Sequence, residues 1–129
     1  MEFLQSYVYL ERLRADENLK IEFEVKGRNF DLKVAPLLYI AFIENAFKHR
    51  SRAKSDNPFI HITFDLEHED RVGFTIENRL DPFREKSTGG GFGLPNVKKR
   101  LELLYPGRYE LIITDSSSVY RVELIIFVA

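Results

Sequence analysis

Residues 36–50 read PLLYIAFIENAFKHR. Pro36 suits the first turn of a helix, where a missing N–H costs nothing. From there the stretch is apolar apart from Glu44 and Asn45 and, at its end, Lys48, His49 and Arg50. A helix of that composition has to be buried over most of its circumference. Spacing of i, i+1 and i+4 puts Glu44, Asn45 and Lys48 along one edge, with His49 four residues after Asn45. Holding such groups at the edge of a buried helix costs several kcal/mol unless they find partners. An acid, an amide oxygen and a base together suit a Mg2+-bound polyphosphate. The Asn carbonyl ligates a hard cation, Lys pairs with phosphate, and Glu orients a water or a nucleophile. The same residues also suit a plain polar rim on an amphipathic helix.

Working outward, residues 3–16 have helical spacing through Leu4, Tyr7 and Val8. Leu19 to Val25 alternates, with Ile21, Phe23 and Val25 on one face, and ends at Gly27. Residues 29–33 read as a connector and 51–58 as a polar loop. FIHITFDLE (59–67) and VGFTIEN (72–78) are two alternating segments joined by a short charged turn, which predicts an antiparallel hairpin. His61 alternates with Ile60 and Ile62, so it points outward and is not a ligand. Residues 79–93 have no periodicity and form a long mobile loop. A helix over 96–105, with Val97, Leu101 and Leu104 on one face, stops at Pro106-Gly107. Strands at 109–113 and 119–128 flank a turn at 115–118. Interspersed in this way, the elements predict an α/β (α+β) two-layer sandwich, with about three helices on one face of a mixed sheet of about five strands.

Bulk composition narrows the function. The 129 residues fit one domain, and 44% apolar with 30% charged residues is ordinary for a globular chain. A net charge of −1 gives no basic field for nucleic acid. Cysteine is absent, which excludes disulfides, thiolate metal sites and a Cys nucleophile. No apolar run approaches the roughly 18 residues of a membrane span, and MEFLQSYVYLERLR is too broken by polar residues for a signal peptide.

The second unusual stretch is TGGGFGLPNV (88–97), with glycine at 89, 90, 91 and 93. It fails the dinucleotide fingerprint, because Leu94 or Asn96 falls where the third glycine belongs. The chain also has no G-K-[ST], so it is not a P-loop. What remains is Gly89, Gly91 and Gly93 at alternate positions before a helix, where a ligand can approach the backbone and meet free N–H groups. A flexible hinge reads equally well from these residues alone.

Together the two stretches are specific. LLYIAFIENAFKHR resembles the N-box of the GHKL (Bergerat-fold) ATPases, and GGGFGLPNVKKRLELLYPG resembles the G2 box of their histidine-kinase branch. The E-N-A-x-K-H form and the R-L-x-L-L-Y tail look most like LytS-like bacterial sensor kinases, which commonly signal to LytTR-type response regulators. The resemblance covers about residues 18–129, an ATP-binding catalytic domain. Residues 1–17 are expected to be the end of a dimerisation or linker helix.

That resemblance implies a Bergerat fold and an ATP–Mg2+ site. Asn45 would be the Mg2+ ligand, with Glu44 the acid beside it as base or as part of the metal's shell. Lys48 and His49 would face the phosphates, and Gly89, Gly91 and Gly93 would wrap the triphosphate, with Leu94 and Asn96 opening the helix behind. Leu80–Thr88 would be a short ATP lid. The family's G1 box usually reads Asp-x-Gly-x-Gly, but here FTIENRLDPF puts Asn78 at the Asp position with no glycine nearby. Asn78 is favoured as the group reading the adenine amino group, with Asp81 as the other acceptor. None of His49, His61 and His68 sits in a phosphoacceptor context. The implied activity is that of a protein histidine kinase that donates the ATP γ-phosphate to a His on a separate dimerisation domain, then signals to a response regulator. The domain itself would be cytoplasmic, in a homodimeric, inner-membrane parent. The alternatives are a degenerate GHKL nucleotide-binding or interaction module without phosphotransfer, and a GHKL ATP hydrolase.

Overall fold

The structure is a computed structural model that describes residues 2–14, 20–27, 36–51, 59–79, 94–116 and 119–128. The expected connector at 29–33, the lid at 80–88 and the glycines at 89–93 lie outside these residues, as does the polar loop expected at 51–58 except Ser51, which ends a helix instead. The first strand, β1 (Lys20–Lys26), turns Ile21, Phe23 and Val25 inward and leaves Lys20, Glu22, Glu24 and Lys26 exposed. It pairs in parallel with β2 (Phe59–Asp65), Ile21 opposite Ile60 and Phe23 opposite Ile62. Parallel neighbours need a long crossover, and α2 (Pro36–Ser51) lies between them in sequence. The expected hairpin forms from β2 and β3 (Arg71–Arg79), paired antiparallel. β3 then pairs with β5 (Val119–Phe127), and β5 with β4 (Tyr109–Asp115), both antiparallel. The sheet is therefore mixed and five-stranded, in the order β1-β2-β3-β5-β4.

Period-two alternation decides which face is the core. Ile60, Ile62 and Phe64 of β2, Val72, Phe74 and Ile76 of β3, and Val122, Leu124 and Ile126 of β5 are all buried on one face. Three helices cover that face. α2 contributes Leu38, Tyr39, Phe42, Ile43, Ala46 and Phe47, while α1 (Glu2–Arg14) adds Leu4 and Val8, and α3 (Leu94–Leu104) adds Val97 and Leu101. The near-uniform apolarity of α2 has a simple cause: it packs against β3, α1 and α3 at once. At its centre the rings of Tyr39, Phe64 and Phe74 meet pairwise, with centroids 5.0 to 5.1 Å apart. Each fully buried ring of this kind is worth roughly 1.5–3 kcal/mol relative to exposure. This is the two-layer α/β sandwich expected of a Bergerat fold.

Local chemistry sets the ends of the elements. β1 stops at Gly27, whose φ of 88° is open to glycine. A Cβ there would lie 2.5 Å from the Leu66 carbonyl carbon, just where Leu66 N–H donates to Lys26 O at 2.6 Å. β2 ends at Asp65, earlier than the alternation to residue 67 suggests, because Asp65 Oδ1 accepts from the Glu67 N–H at 3.0 Å and turns the chain. α3 begins at Leu94, two residues before the expected start, with Pro95 in its first turn. Leu104 is 55% exposed, contrary to its expected place on the buried face. The helix ends there, and Tyr105 packs against the core in its stead. Ser116 closes the β4–β5 turn, its hydroxyl donating to Val119 O at 2.8 Å and accepting from Val119 N–H at 3.0 Å.

Candidate functional site

Against this apolar background, two described polar side chains are buried: Asn45 at 2% exposure and Asn78 at 1%. Asn78 continues the inward series Val72, Phe74, Ile76, so an amide stands where alternation calls for a fourth apolar residue. Its register partners are Ile60 on β2 and Tyr120 on β5. Tyr120 is itself buried at 7% and opens the inward series of β5. Asn45 comes from α2, between the buried Ile43 and Ala46. Among the described residues, its Oδ1 is buried and accepts no hydrogen bond. An unmet buried acceptor of this kind costs about 1–3 kcal/mol, so core packing gives no reason to keep it.

Asn45 and Tyr120 sense each other. Burial pushes the Tyr120 phenol above its usual pKa, and the Asp115 carboxylate opposite it on β4 adds to that. The nearby Asn45 side chain works the other way. Three groups from α2, β3 and β5 thus gather on the inner face, where β3 ends and β5 begins.

The expected site residues divide into three sets. Asn45 and Asn78 sit in the interior. Glu44 is exposed, although spacing places it on one edge with Asn45. Successive helical residues are turned by about 100°, so α2 sends one outward and the other into the core. Asn96 is exposed as the third residue of α3, and Leu94 is the first. Lys48 and His49 lie in the last turn of α2, and their side chains, like that of Leu94, are outside the described set. Gly89, Gly91, Gly93 and Asp81 also lie outside it. His61 is half-exposed on the outer face, as its alternation requires, and pairs with Glu22 and Glu77. Tyr120 was the residue that motif reading missed. The alternation VYRVELIIF carried the signal, since it sets Tyr120 in phase with Val122, Leu124 and Ile126.

The donor set constrains what cation fits. Among the described residues, no group of three or more His, Cys, Asp or Glu side chains is placed to hold a metal ion. One neutral amide oxygen suits a hard cation that keeps its waters and takes most of its remaining ligands from phosphate, which is how Mg2+ is usually bound.

No family model matches the chain, and no curated protein matches it in sequence. Solved structures do match it in shape. The catalytic domain of histidine kinase ThkA, in one nucleotide-free form, aligns with a TM-score of 0.67 at 18% identity, over 96% of this chain and 90% of that one. The chain has the fold of a histidine-kinase catalytic domain. The histidine kinase domain of the Erythrobacter litoralis blue-light activated kinase EL346 aligns with a TM-score of 0.68 at 14% identity, over 94% of this chain and 60% of that one. ThkA in complex with its response regulator TrrA aligns with a TM-score of 0.64 at 19% identity, over 98% of this chain and 39% of that one.

Proposed function

We propose that this chain is the ATP–Mg2+-binding catalytic domain of a bacterial two-component sensor histidine kinase of the LytS-like kind. The observation that carries the reading is the buried, unmet Oδ1 of Asn45, on a helix reading ENAFKH, within a fold shared with histidine-kinase catalytic domains. In this reading Asn45 supplies the protein oxygen for Mg2+ and Asn78 accepts from the adenine amino group. Being neutral, Asn78 tolerates its 1% exposure more cheaply than a carboxylate would. Lys48 and His49 face the phosphates, and Gly89, Gly91, Gly93, Leu94 and Asn96 form the turn and helix start around them. When bound, ATP–Mg2+ supplies the transferable phosphoryl group and neutralises the charge on its oxygens. The chain's own residues position the nucleotide and exclude water. The exposure of Glu44 favours a role toward the acceptor histidine over one in a buried metal shell.

The acceptor histidine belongs to the parent's dimerisation domain, to which residues 1–17 lead, and a response regulator of LytTR type is the next partner. No described helix is long and apolar enough to cross a membrane. The proposal puts this domain on the cytoplasmic side of a membrane-anchored homodimer. Titration calorimetry tests the reading: ATP is expected to bind in a Mg2+-dependent manner, and Asn45→Ala to lose that dependence. Absence of binding at millimolar nucleotide defeats it.

A second reading keeps nucleotide binding but not phosphotransfer. The neutral Asn78, where a carboxylate is usual, favours it. Supplying the parent's dimerisation helices with γ-labelled ATP separates the two, since label on a histidine excludes a binding-only role.

A further inference from the structure

We infer that the outer edge of β4 pairs with the same edge of a second copy of this chain, antiparallel and centred on Ile112, so that two sheets join across a two-fold axis. The inference goes beyond the nucleotide reading and does not depend on it.

The sheet has two ends. Among the described residues β1 borders β2 alone, and β4 borders β5 alone. An edge strand is a template for another strand, and proteins commonly blunt it with charge. β1 is blunted in this way, since Lys20, Glu22, Glu24 and Lys26 stand exposed at alternate positions. Pairing β1 with its own copy about Phe23 would set Glu22 against Glu24 and Lys20 against Lys26. Like charges so placed destabilise a strand pair. β4, YELIITD, lacks that protection. At its midpoint Ile112 is 55% exposed on the outer face, between the exposed Glu110 and Thr114. Pairing β4 with its copy over all seven residues makes Ile112 its own partner. Glu110 then lies opposite Thr114, Leu111 opposite Ile113 and Tyr109 opposite Asp115, and no like charges meet. One edge repels its own copy and the other complements it, which selects a second copy as the occupant of β4.

The backbone agrees. At the two ends of the β4–β5 ladder, Phe127 N–H donates to Arg108 O at 2.8 Å and Ser116 N–H to Val119 O at 3.0 Å. In an antiparallel ladder that direction recurs at every second residue, so Glu110, Ile112 and Thr114 also aim their backbone groups at β5. Tyr109, Leu111 and Ile113 aim theirs at the outer edge. In the dimer Leu111 and Ile113 exchange hydrogen bonds across the axis. Ile112 meets its copy in a non-hydrogen-bonded pair, the kind with Cα atoms about 4.5 Å apart and side chains closer together. An axis through such a pair stands perpendicular to the sheet, which keeps the helices of both copies on one side.

The absence of cysteine makes the register directly testable. Ile112→Cys is expected to form a covalent dimer under mild oxidation. Thr114→Cys is expected not to, because its copies stand about four residues apart, roughly 13 Å, beyond the reach of about 7 Å for a disulfide. Sedimentation equilibrium of the wild-type chain, up to millimolar concentration, is expected to show monomers and dimers. Ile112→Lys should weaken the dimer about tenfold, since it replaces an apolar pair by facing charges. A wild-type chain that stays monomeric throughout overturns the proposal and leaves the edge to another partner or to none. A dimer just as strong in Ile112→Lys overturns it too. Should that variant not fold, the cysteine pair decides: cross-linking absent at 112, or equal at 112 and 114, overturns the proposal.

Discussion

On its inner face β3 carries Val72, Phe74, Ile76 and Asn78; on its outer face it carries Arg71, Gly73, Thr75 and Glu77. Glu77 belongs to a row that crosses four strands in register, Glu22 to His61 to Glu77 to Arg121. Every link is closed: Glu22 pairs with His61, His61 with Glu77 at 3.5 Å, and Arg121 with Glu77 at 4.0 Å and with Glu123 at 2.7 Å. These side chains are partly exposed, and ion pairs in that setting add little to stability. The inner face is the reverse. There a polar group is expensive, yet Asn45 keeps an acceptor that no described residue satisfies. Charges are neatly paired where pairing matters least, and an amide is left unmet where it costs most. On the proposed function the inner polar groups await a ligand, whereas the outer row is already paired within the sheet.

Three substitutions press on that contrast. Phe74→Ala removes a ring at the centre of the Tyr39–Phe64 cluster and is expected to cost about 3–5 kcal/mol, read as a drop in denaturant midpoint. A loss under about 1 kcal/mol would show that the core is not organised around these rings. Tyr39→Phe probes a second buried oxygen on the same face. Its hydroxyl has no hydrogen-bond partner among the described residues, and burial, with the Tyr105 phenol nearby, drives its pKa far above the usual tyrosine range. The variant should be as stable as the wild type or more so, by up to about 1 kcal/mol, without change in nucleotide binding. Marked destabilisation in thermal melts would mean that the Tyr39 hydroxyl is satisfied in solution.

The smallest effect belongs to the outer row. A hydrogen bond from His61, then the charges of His61 and Lys20, hold the Glu22 carboxyl below its ordinary pKa of 4.5. A carboxyl depressed in the folded state stabilises the fold above its unfolded pKa, and that contribution is lost as pH falls through the folded value. Glu22→Gln should therefore melt slightly below wild type at neutral pH, with a gap that narrows as the pH falls below the ordinary value of 4.5. A gap that persists in acid would assign the effect to packing instead of charge.

Much of this was readable from the chain. Alternation at Ile21-Phe23-Val25 and at Ile60-Ile62-Phe64 identified strands because each buries one side only. The apolar run from Leu37 to Phe47 identified a helix covered by three neighbours. Asn45 stood out as part of a polar edge on an apolar helix, and Asn78 through its place at the G1 position of the resemblance. Three things were not readable. Spacing groups Glu44 with Asn45, but only packing shows that one faces water and the other the core. Leu104 fits the helical period but falls where α3 ends, so the period no longer applies. Tyr120 fits its strand as an ordinary core aromatic, and its place opposite Asn78 is set only once β5 pairs with β3.

The strand order has a consequence for how this architecture tolerates change. Arg79 and Val119 are register partners, although 39 residues lie between them along the chain. Residues 80–93, the glycine run included, join β3 to α3 in sequence, and the end of β3 is paired with the start of β5. Doubling the length of such an excursion adds only about 0.6 kcal/mol of closure entropy. On the proposed function, the stretch assigned to the nucleotide can therefore change in length at small cost, while β3 and β5 keep Asn78 and Tyr120 in register.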